Sequence, residues 1–596
     1  MKRKFLLLFL FVSIVCFSQQ KNYIVNWDGK QVLSVGNHTI EIPSFNKEYF
    51  SYEFEEGLQF VDQWKLTNPI NESSIVVNNV SYSNISKSEL GNLDINKLPN
   101  DLKFSFNNSR SRDKQYAFFK LSPIIKSDDG TFKKVTSFQI TYNETTNTNR
   151  AAVTNKTFGS LAVSNSVLST GKWFKFYVDK TGVFQLSKNF IRQLGVDVDN
   201  VDPRTIKIYG NGGQMIPYSN AVAQPFDVTE NAIKFVGEAD GVFNNEDYIL
   251  FYAQGPKEFN SESNTNINCY TDKTYYYINV GSGNGKRIQP FTQPTGAVDL
   301  VIDTFEDYQF HEVDDYNLAS LGRRWFGDRF DIQNQKAFQF DVPNLVTTTP
   351  VRLKVYFAST STTQSSLRIN VNGTDVSTLL ISGVSGTNLA NEASYIGNVN
   401  VASSAISVNL NFDNQGNPSG IGYLDYVSIE ALRNLNFSNK QFQFKNSLVT
   451  SASGIGQYHI TNASQVSEVW DVTDKYNVTN AENTNASSTF SFTSTLGTLK
   501  TYVALTPSDY FEPKADANTS LSNQNIKGTL FLNSSGQFQD VDYIIVSPNN
   551  MLAQAERLAQ INRNQYNLNV KVVGLNEIYN EFSTGNQDIG AIRNMV

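Results

Sequence analysis

The chain has 596 residues, with Lys+Arg 49 against Asp+Glu 56 and a net charge of −7. That length holds several domains, and 40% apolar with 13% aromatic residues can fill their cores, which excludes a disordered chain; the acidic balance argues against a nucleic-acid binder, which needs a basic excess. Three histidines and two cysteines restrict the chemistry, and the polar surface comes instead from uncharged residues, 68 asparagines among them.

Residues 1–18 read as a secretory signal peptide. Lys2, Arg3 and Lys4 precede an apolar run from Phe5 to Val12 that continues past Ser13 to Cys16, with Ser18 at the −1 position. The run is too short for an anchor. Removing it leaves Cys269 as the single cysteine, so no disulfide forms within the mature chain. Residues 19–145 predict an N-terminal β domain of short strands (YIVNW, KQVLSV, HTIEI, YAFFKLSPII, TSFQITYN) divided by Asn, Ser, Gly and Pro. Residues 146–170 are polar and read as a linker.

Residues 171–295 predict a small, mostly β domain. GKWFKFYVDKTGVFQLS is a hairpin, KNFIRQLG a short helix with Gly195 as its C-cap, and TIKIYGNGG, DYILFYAQG and YYYINV are strands. Residues 296–535 alternate cleanly in VRLKVYFAS, SLRINVNG, AISVNLNF and GYLDYVSIEAL, with turns at Asn372–Gly373 and Asn414–Pro418. That spacing predicts a β-sandwich or jelly roll. Residues 538–596 change texture. VDYIIVSP and NVKVVGL are buried parallel strands. The helix between them, MLAQAERLAQINRNQY, places Leu552, Ala555, Leu558, Ala559 and Ile561 mainly on one face. Two short helices follow, with Asp588 near the start of the last. This is the opening of an α/β domain, truncated after two strands. Uncovered strand faces and an unpaired edge predict poor order over 540–596.

The residues with catalytic potential are few. Tyr209–Gln214 (YGNGGQ) and Gly281–Lys286 (GSGNGK) lack the strand–loop–helix setting of a phosphate loop and read as turns. His38, His311 and His459 stand apart from any metal-ligand spacing. His311 with Glu312, Asp314 and Asp315 is the richest neighbourhood and reads as a surface loop. Asp413–Gly420 (DNQGNPSG) is the best oxygen-rich loop for calcium, without EF-hand spacing. Cys269 has no histidine beside it in sequence, and no GxSxG elbow occurs. No catalytic, cofactor-binding or metal-ligating residue is assigned, and no cofactor is expected.

The segment from Asp542 (DYIIVSP), and above all Val572, Ile578–Ser583, Gly585, Asp588, Ile589 and Ala591–Arg593, resembles the start of the gingipain-type cysteine peptidases, peptidase family C25, with a caspase-like α/β fold. Gly171–Ser187, Asp247–Pro256 and Leu321–Phe330 (LGRRWFGDRF) resemble the N-terminal region of the sortases of the type IX secretion system. The resemblance covers essentially the whole chain after the signal peptide. It implies a Bacteroidota cell-surface endopeptidase, peripherally attached to the outer membrane. Such an enzyme removes the C-terminal signal domain from type IX cargo and joins the product to anionic lipopolysaccharide through an acyl-enzyme. It further implies the outer-membrane β-barrel PorV as partner. In the family the catalytic histidine and cysteine lie later than this chain reaches, so neither role passes to Cys269 or His459. The chain as given is expected to be inactive. A surface adhesion or carbohydrate-binding protein, with Trp325 as a stacking residue, and an inactive scaffold paralogue are the alternatives.

Overall fold

The computed structural model describes residues 19–144, except 36–37, 54–55, 67, 112–113 and 128, and residues 165–596. The signal-peptide reading, and the linker reading up to residue 164, lie outside the described residues. The chain divides into two compact units, 1–159 and 160–596. Among the described residues no helix is long and apolar enough to cross a membrane.

In the first unit, Phe132–Tyr142 pairs antiparallel with Gln19–Ile24 and Val76–Ile85. A second sheet runs Phe50–Glu53, Gly57–Leu66, Lys114–Leu121, Phe104–Ser111. Alternation sends Tyr23, Phe60, Phe119 and Phe138 into one shared core. Tyr23 stacks on Phe138 at 4.9 Å, and Phe60 meets Phe138 edge-on at 5.1 Å. These are the offset and T-shaped geometries that the ring quadrupole favours.

The second unit begins with a five-stranded antiparallel sheet in the order Glu230–Asn231, Ile206–Tyr209, Thr274–Val280, Lys172–Val178, Lys514–Leu521. One face gives Phe176, Val178, Ile206, Ile208, Tyr276 and Ile278 to a core shared with Phe184, Leu186 and Phe251 of a three-stranded sheet. The helix Lys188–Gln193 covers its edge. Ser187 caps that helix by accepting from the Phe190 amide at 3.2 Å, and Leu194 ends it. Gly195, expected as the cap, follows one position beyond it at φ +105°, in the left-handed conformation that closes helices. The fifth strand lies within the stretch read as 296–535, yet it pairs with Lys172–Val178.

The rest of that stretch builds two cores rather than one. In the first, the sheet Thr304–Glu312, Gly422–Asn434, Val351–Ser359, Asn391–Val399 faces the sheet Gln335–Asp341, Ala405–Asp413, Ser365–Val371, Thr374–Ile381. Phe338, Leu353, Leu367, Ile369, Leu410 and Val427 fill the space between. Truncating one such residue to alanine costs about 2–5 kcal/mol. In the second, strands between residues 289 and 505 enclose Phe444, Tyr458, Phe492 and Tyr502. Tyr458 and Phe492 lie parallel at 4.9 Å.

The C-terminal segment pairs Tyr543–Ser547 in parallel with Val570–Gly574 across the crossover helix Leu552–Tyr566. Helices Leu575–Phe582 and Ile589–Met595 follow. These last helices and the loop between them are seated on the five-stranded sheet. The architecture is therefore multidomain and mainly β, with a small α/β region at its C-terminal end.

The hairpin Lys257–Asn260/Thr265–Ile267 is tied to the sandwich through a buried carboxylate. Glu312 accepts from the Asn266 amide at 2.7 Å and from its side chain at 2.9 Å. Tyr308 donates to Asn266 at 2.7 Å. Arg324 donates to Asp425 at 2.7 Å and to Glu392 at 3.0 Å. Asp314 lies in this cluster without a hydrogen-bond partner among the described residues; burial, reinforced by the Glu312 charge, pushes its carboxyl up to about 7. The unfolded value is about 3.9. The folded state therefore holds the extra proton, and the stability this contributes is full below about pH 4 and lost as pH rises through about 7. Asp314→Asn is expected to raise the thermal unfolding midpoint at pH 8 relative to the parent and to leave it nearly unchanged at pH 4. A difference that is flat with pH would sink this assignment.

Candidate functional site

The site grows from the second face of the five-stranded sheet. Alternation along Lys172–Val178 turns Trp173, Lys175 and Tyr177 away from the core. Thr274–Val280 places Tyr275 and Tyr277 opposite, in the register Tyr177↔Tyr275 and Lys175↔Tyr277. Such a face would ordinarily meet water, but Tyr277 is 0% and Trp173 3% exposed. Leu168, Val228 and Leu521 cover Trp173, and the C-terminal segment closes over the hydroxyl end of Tyr277 and the backbone at Tyr275. Tyrosine suits this position because its ring fills the contact while its hydroxyl keeps a partner: Tyr275 donates to Asp516 at 2.6 Å, and Tyr277 reaches Asn580 at 3.4 Å.

The loop 583–588 makes the closest approach. Asn586 accepts from the Tyr275 amide at 3.1 Å. Gly585 has φ +79°, and a Cβ there would stand 2.9 Å from the Tyr277 hydroxyl, so only glycine fits. Asp588 is 3% exposed. It accepts from the Gly590 amide at 2.7 Å, capping the last helix, and from the Ile216 amide of the β body at 2.8 Å. Burial pushes its carboxyl up from the ordinary range, and those two amides with Arg323 hold it back. Arg323 packs 3.9 Å over the Tyr218 ring, donates to Tyr270 at 3.0 Å and to the Ile216 carbonyl at 2.8 Å, and lies 3.8 Å from Asp588. Buried Glu581 accepts from the Ile526 amide at 2.6 Å. Arg593 donates to the carbonyls of Pro217 and Tyr218 at 2.6 and 2.7 Å.

Between the segment and the sheet lies a cavity of about 560 Å³. Asn549, Asn576 and Glu577 form its wall at the carboxyl ends of the two parallel strands; Lys175, Lys273 and Tyr275 line the β side. Asn549 fixes its wall by accepting from the Asn576 amide at 3.2 Å and donating to Glu577 at 3.1 Å. Lys175 lies 4.9 Å over Tyr275, and Lys273 4.4 Å over Tyr177. In open α/β sheets ligands bind in the crevice outside the carboxyl ends of the strands. This lining offers hydrogen bonds and two cations to a polar ligand.

The residues weighed in the sequence lie elsewhere. The Cys269 thiol is 3.7 Å from the Met215 sulfur, and burial pushes it up to about 11, the reverse of a nucleophilic cysteine. His459 lies on the strand Ile455–Thr461 opposite Ser491. His311 shares a 2.6 Å hydrogen bond with Asp328 and packs on Phe338 at 4.7 Å. It does not join Glu312, because neighbours on a strand point to opposite faces. In the Asp413–Gly420 loop, Asp413 accepts from the Gln415 amide and side chain at 2.8 and 3.0 Å. Among the described residues no group of three His, Cys, Asp or Glu is placed to hold a metal ion. Trp325 is partly buried, and the side chain of His38 lies outside the described residues. Asp588 was read as a helix start and as part of the C25 resemblance, and Arg323 as part of the LGRRWFG resemblance. No sequence signal joins the two.

Residues 537–596 match the model of peptidase family C25. No curated protein matches the chain in sequence. Among solved structures, dimeric latent PorU from Porphyromonas gingivalis is similar at 20% identity with a TM-score of 0.61, over 73% of this chain and 40% of that one. A CBM36 domain of a xylanase from the hindgut metagenome of Trinervitermes trinervoides (14% identity, TM-score 0.15, 21% of this chain and 96% of that one) is too slight a likeness to bear on function. The same holds for the complex of RgpB pro- and mature domains from Porphyromonas gingivalis (11% identity, TM-score 0.16, 23% and 82%).

Removing the Asp588 carboxylate strips the last helix of its cap and leaves the Ile216 amide unpaired. Asp588→Ala is expected to cost about 1–3 kcal/mol, read as faster amide exchange confined to residues 575–596 and their seat; Asp588→Asn, which keeps an acceptor, should lose less. Unchanged exchange in that region would show that the contact does not hold the segment. The chain carries the fold of the PorU structure over less than half that protein's length, and its last sixty residues have the family pattern of the C25 peptidases.

Proposed function

We propose that this chain is the N-terminal portion of a PorU-type cysteine endopeptidase of the cell surface. In this reading it removes C-terminal signal domains from type IX cargo and transfers the product to anionic lipopolysaccharide, working beside the barrel partner PorV. The observation that carries it is the placement of the C25-like segment on the β body, within a chain whose fold follows PorU. The two parallel strands are the first of a caspase-like sheet, and further strands supply the histidine and cysteine. The β body then serves as the foundation of the peptidase domain. It fixes the first strands, and hence the crevice at their carboxyl ends, against a face that is already folded. The cavity walled by Asn549, Glu577, Lys175 and Lys273 lies beside that crevice, where an extended cargo segment would pass. Export and outer-membrane association follow from the same reading.

Deleting the locus in the producing cell is expected to leave surface cargo with its signal domain attached. Residues 1–596 supplied alone should not restore cleavage, whereas the locus with its downstream reading frame should. Cargo processed normally without the locus would refute the proposal. Peptidase activity of 1–596 that is lost in Cys269→Ala would move the active site into this chain.

A further inference from the structure

A second cavity, of about 470 Å³, opens on the other side of the loop 583–588; Gln214, Gln254, Glu258, Lys475, Ser583 and Asn594 are among its walls. Lys475 comes from the turn after the strand Glu468–Asp471 and reaches across to the small β body. Its ammonium donates to the Asn211 carbonyl at 2.6 Å and to Gln254 Oε1 at 2.9 Å. Both acceptors are neutral. The Tyr476 ring lies 5.3 Å away. Among the described residues no carboxylate is paired with Lys475; Glu258 and Asp474 act on it only at longer range, and burial lowers it from the ordinary lysine value. An ammonium withdrawn from water without a counter-charge is costly. A tie between two loops needs only a neutral donor, so the charge is surplus to that role.

Two further features converge on the same point. Gln254 accepts from Lys475 through Oε1, which leaves its Nε2 without a partner among the described residues and adds a second donor beside the ammonium. Gly212, at φ +83°, lies directly against the pair: a Cβ there would stand 2.8 Å from Gln254 Oε1 and 3.0 Å from Lys475 Nζ. The backbone thus leaves room for the ammonium at the cavity floor. On the wall, the Glu258 carboxylate receives, among the described residues, only the Gln214 side chain, at 3.3 Å, and keeps acceptor capacity for a donor on the ligand. The other charged group in the lining, Asp588, is already engaged by two amides.

We propose that Lys475 and Gln254 form the floor of a binding site for a small polar molecule bearing an anionic group, a carboxylate or a phosphate, with Glu258 accepting from its hydroxyl or ammonium. Because Ser583 and Asn594 complete the wall, occupancy would also steady the C-terminal segment. The inference is independent of the peptidase reading.

The test titrates the intact chain with sodium phosphate and, separately, sodium acetate against sodium chloride at matched ionic strength, following heat of binding and unfolding midpoint. Saturable binding of either anion is expected, and the arm that binds identifies phosphate or carboxylate as the group taken. Lys475→Met should weaken it by about tenfold or more, the value of a charge-assisted hydrogen bond. Should that variant fail to fold, ¹³C-methylation of the parent's lysines makes the Lys475 resonance the readout, with a saturable shift expected. Absence of saturable binding by both anions, equal binding by folded Lys475→Met, or a Lys475 resonance unmoved at saturation would overturn the proposal.

Discussion

Both faces of Thr274–Val280, the middle strand of the five-stranded sheet, are largely buried, and each requires a different chemistry. The inner face is closed by Phe176, Tyr276 and Ile278 against a second sheet, which is ordinary apolar packing. The outer face is closed by helices and a loop whose backbone and amide groups must keep their hydrogen bonds, so an all-apolar lid would strand them. Tyr275 and Tyr277 meet that demand with large rings and polar tips. The position of the C-terminal segment, the cavity at the carboxyl ends of its strands and the cavity beside Lys475 all follow from this contact.

The polar contacts at the seat are unequal. Asp588 and Arg323 are both buried, yet at 3.8 Å they do not form a close ion pair. The carboxylate is satisfied by two backbone amides; the guanidinium donates to the Ile216 carbonyl and the Tyr270 hydroxyl and packs on two tyrosine rings, while its Nη1 has no hydrogen-bond partner among the described residues. Ile216 therefore offers its amide to Asp588 and its carbonyl to Arg323, and the backbone of one residue holds both partners in place. The geometry fixes direction more than it adds stability, since a buried pair recovers little beyond its desolvation cost. A segment held in this way has a defined register on the sheet.

Much of this fold was legible in period-2 alternation, which found Val351–Ser359 and Ser365–Val371 because each has one buried face. Alternation does not say which strands share a sheet. Lys514–Leu521 was counted with the region before it, although it returns to pair with Lys172–Val178 across more than three hundred residues. Nor does it distinguish two cores from one, so 296–535 read as a single sandwich. The site was less legible still. A face of Tyr and Lys reads equally as a wet surface, and nothing local to GNQD or LGRR says that Asp588 and Arg323 meet. His311 read as part of a surface loop, yet it lies on the strand Thr304–Glu312 with Glu312 on the opposite face, and its partner Asp328 comes from the next strand in sequence.

The C-terminal segment itself carries a last physical argument. Its crossover helix buries Ala555 and Ala559 against the two parallel strands, while Leu558 and Ile561 on the adjoining stripe remain 45% and 50% exposed. Its first strand keeps Tyr543 exposed and Ile544, Ile545 and Val546 only partly covered. Parallel strands are found with both faces closed, because their sequences are apolar on both sides. A finished two-stranded unit would carry polar residues at Leu558, Ile561 and Tyr543. These positions instead have the composition of a surface meant to be covered, and further strands and helices of an α/β domain are the covering the peptidase reading calls for. The β body closes one side of the segment; the apolar residues that it does not reach mark the side on which such a domain would grow.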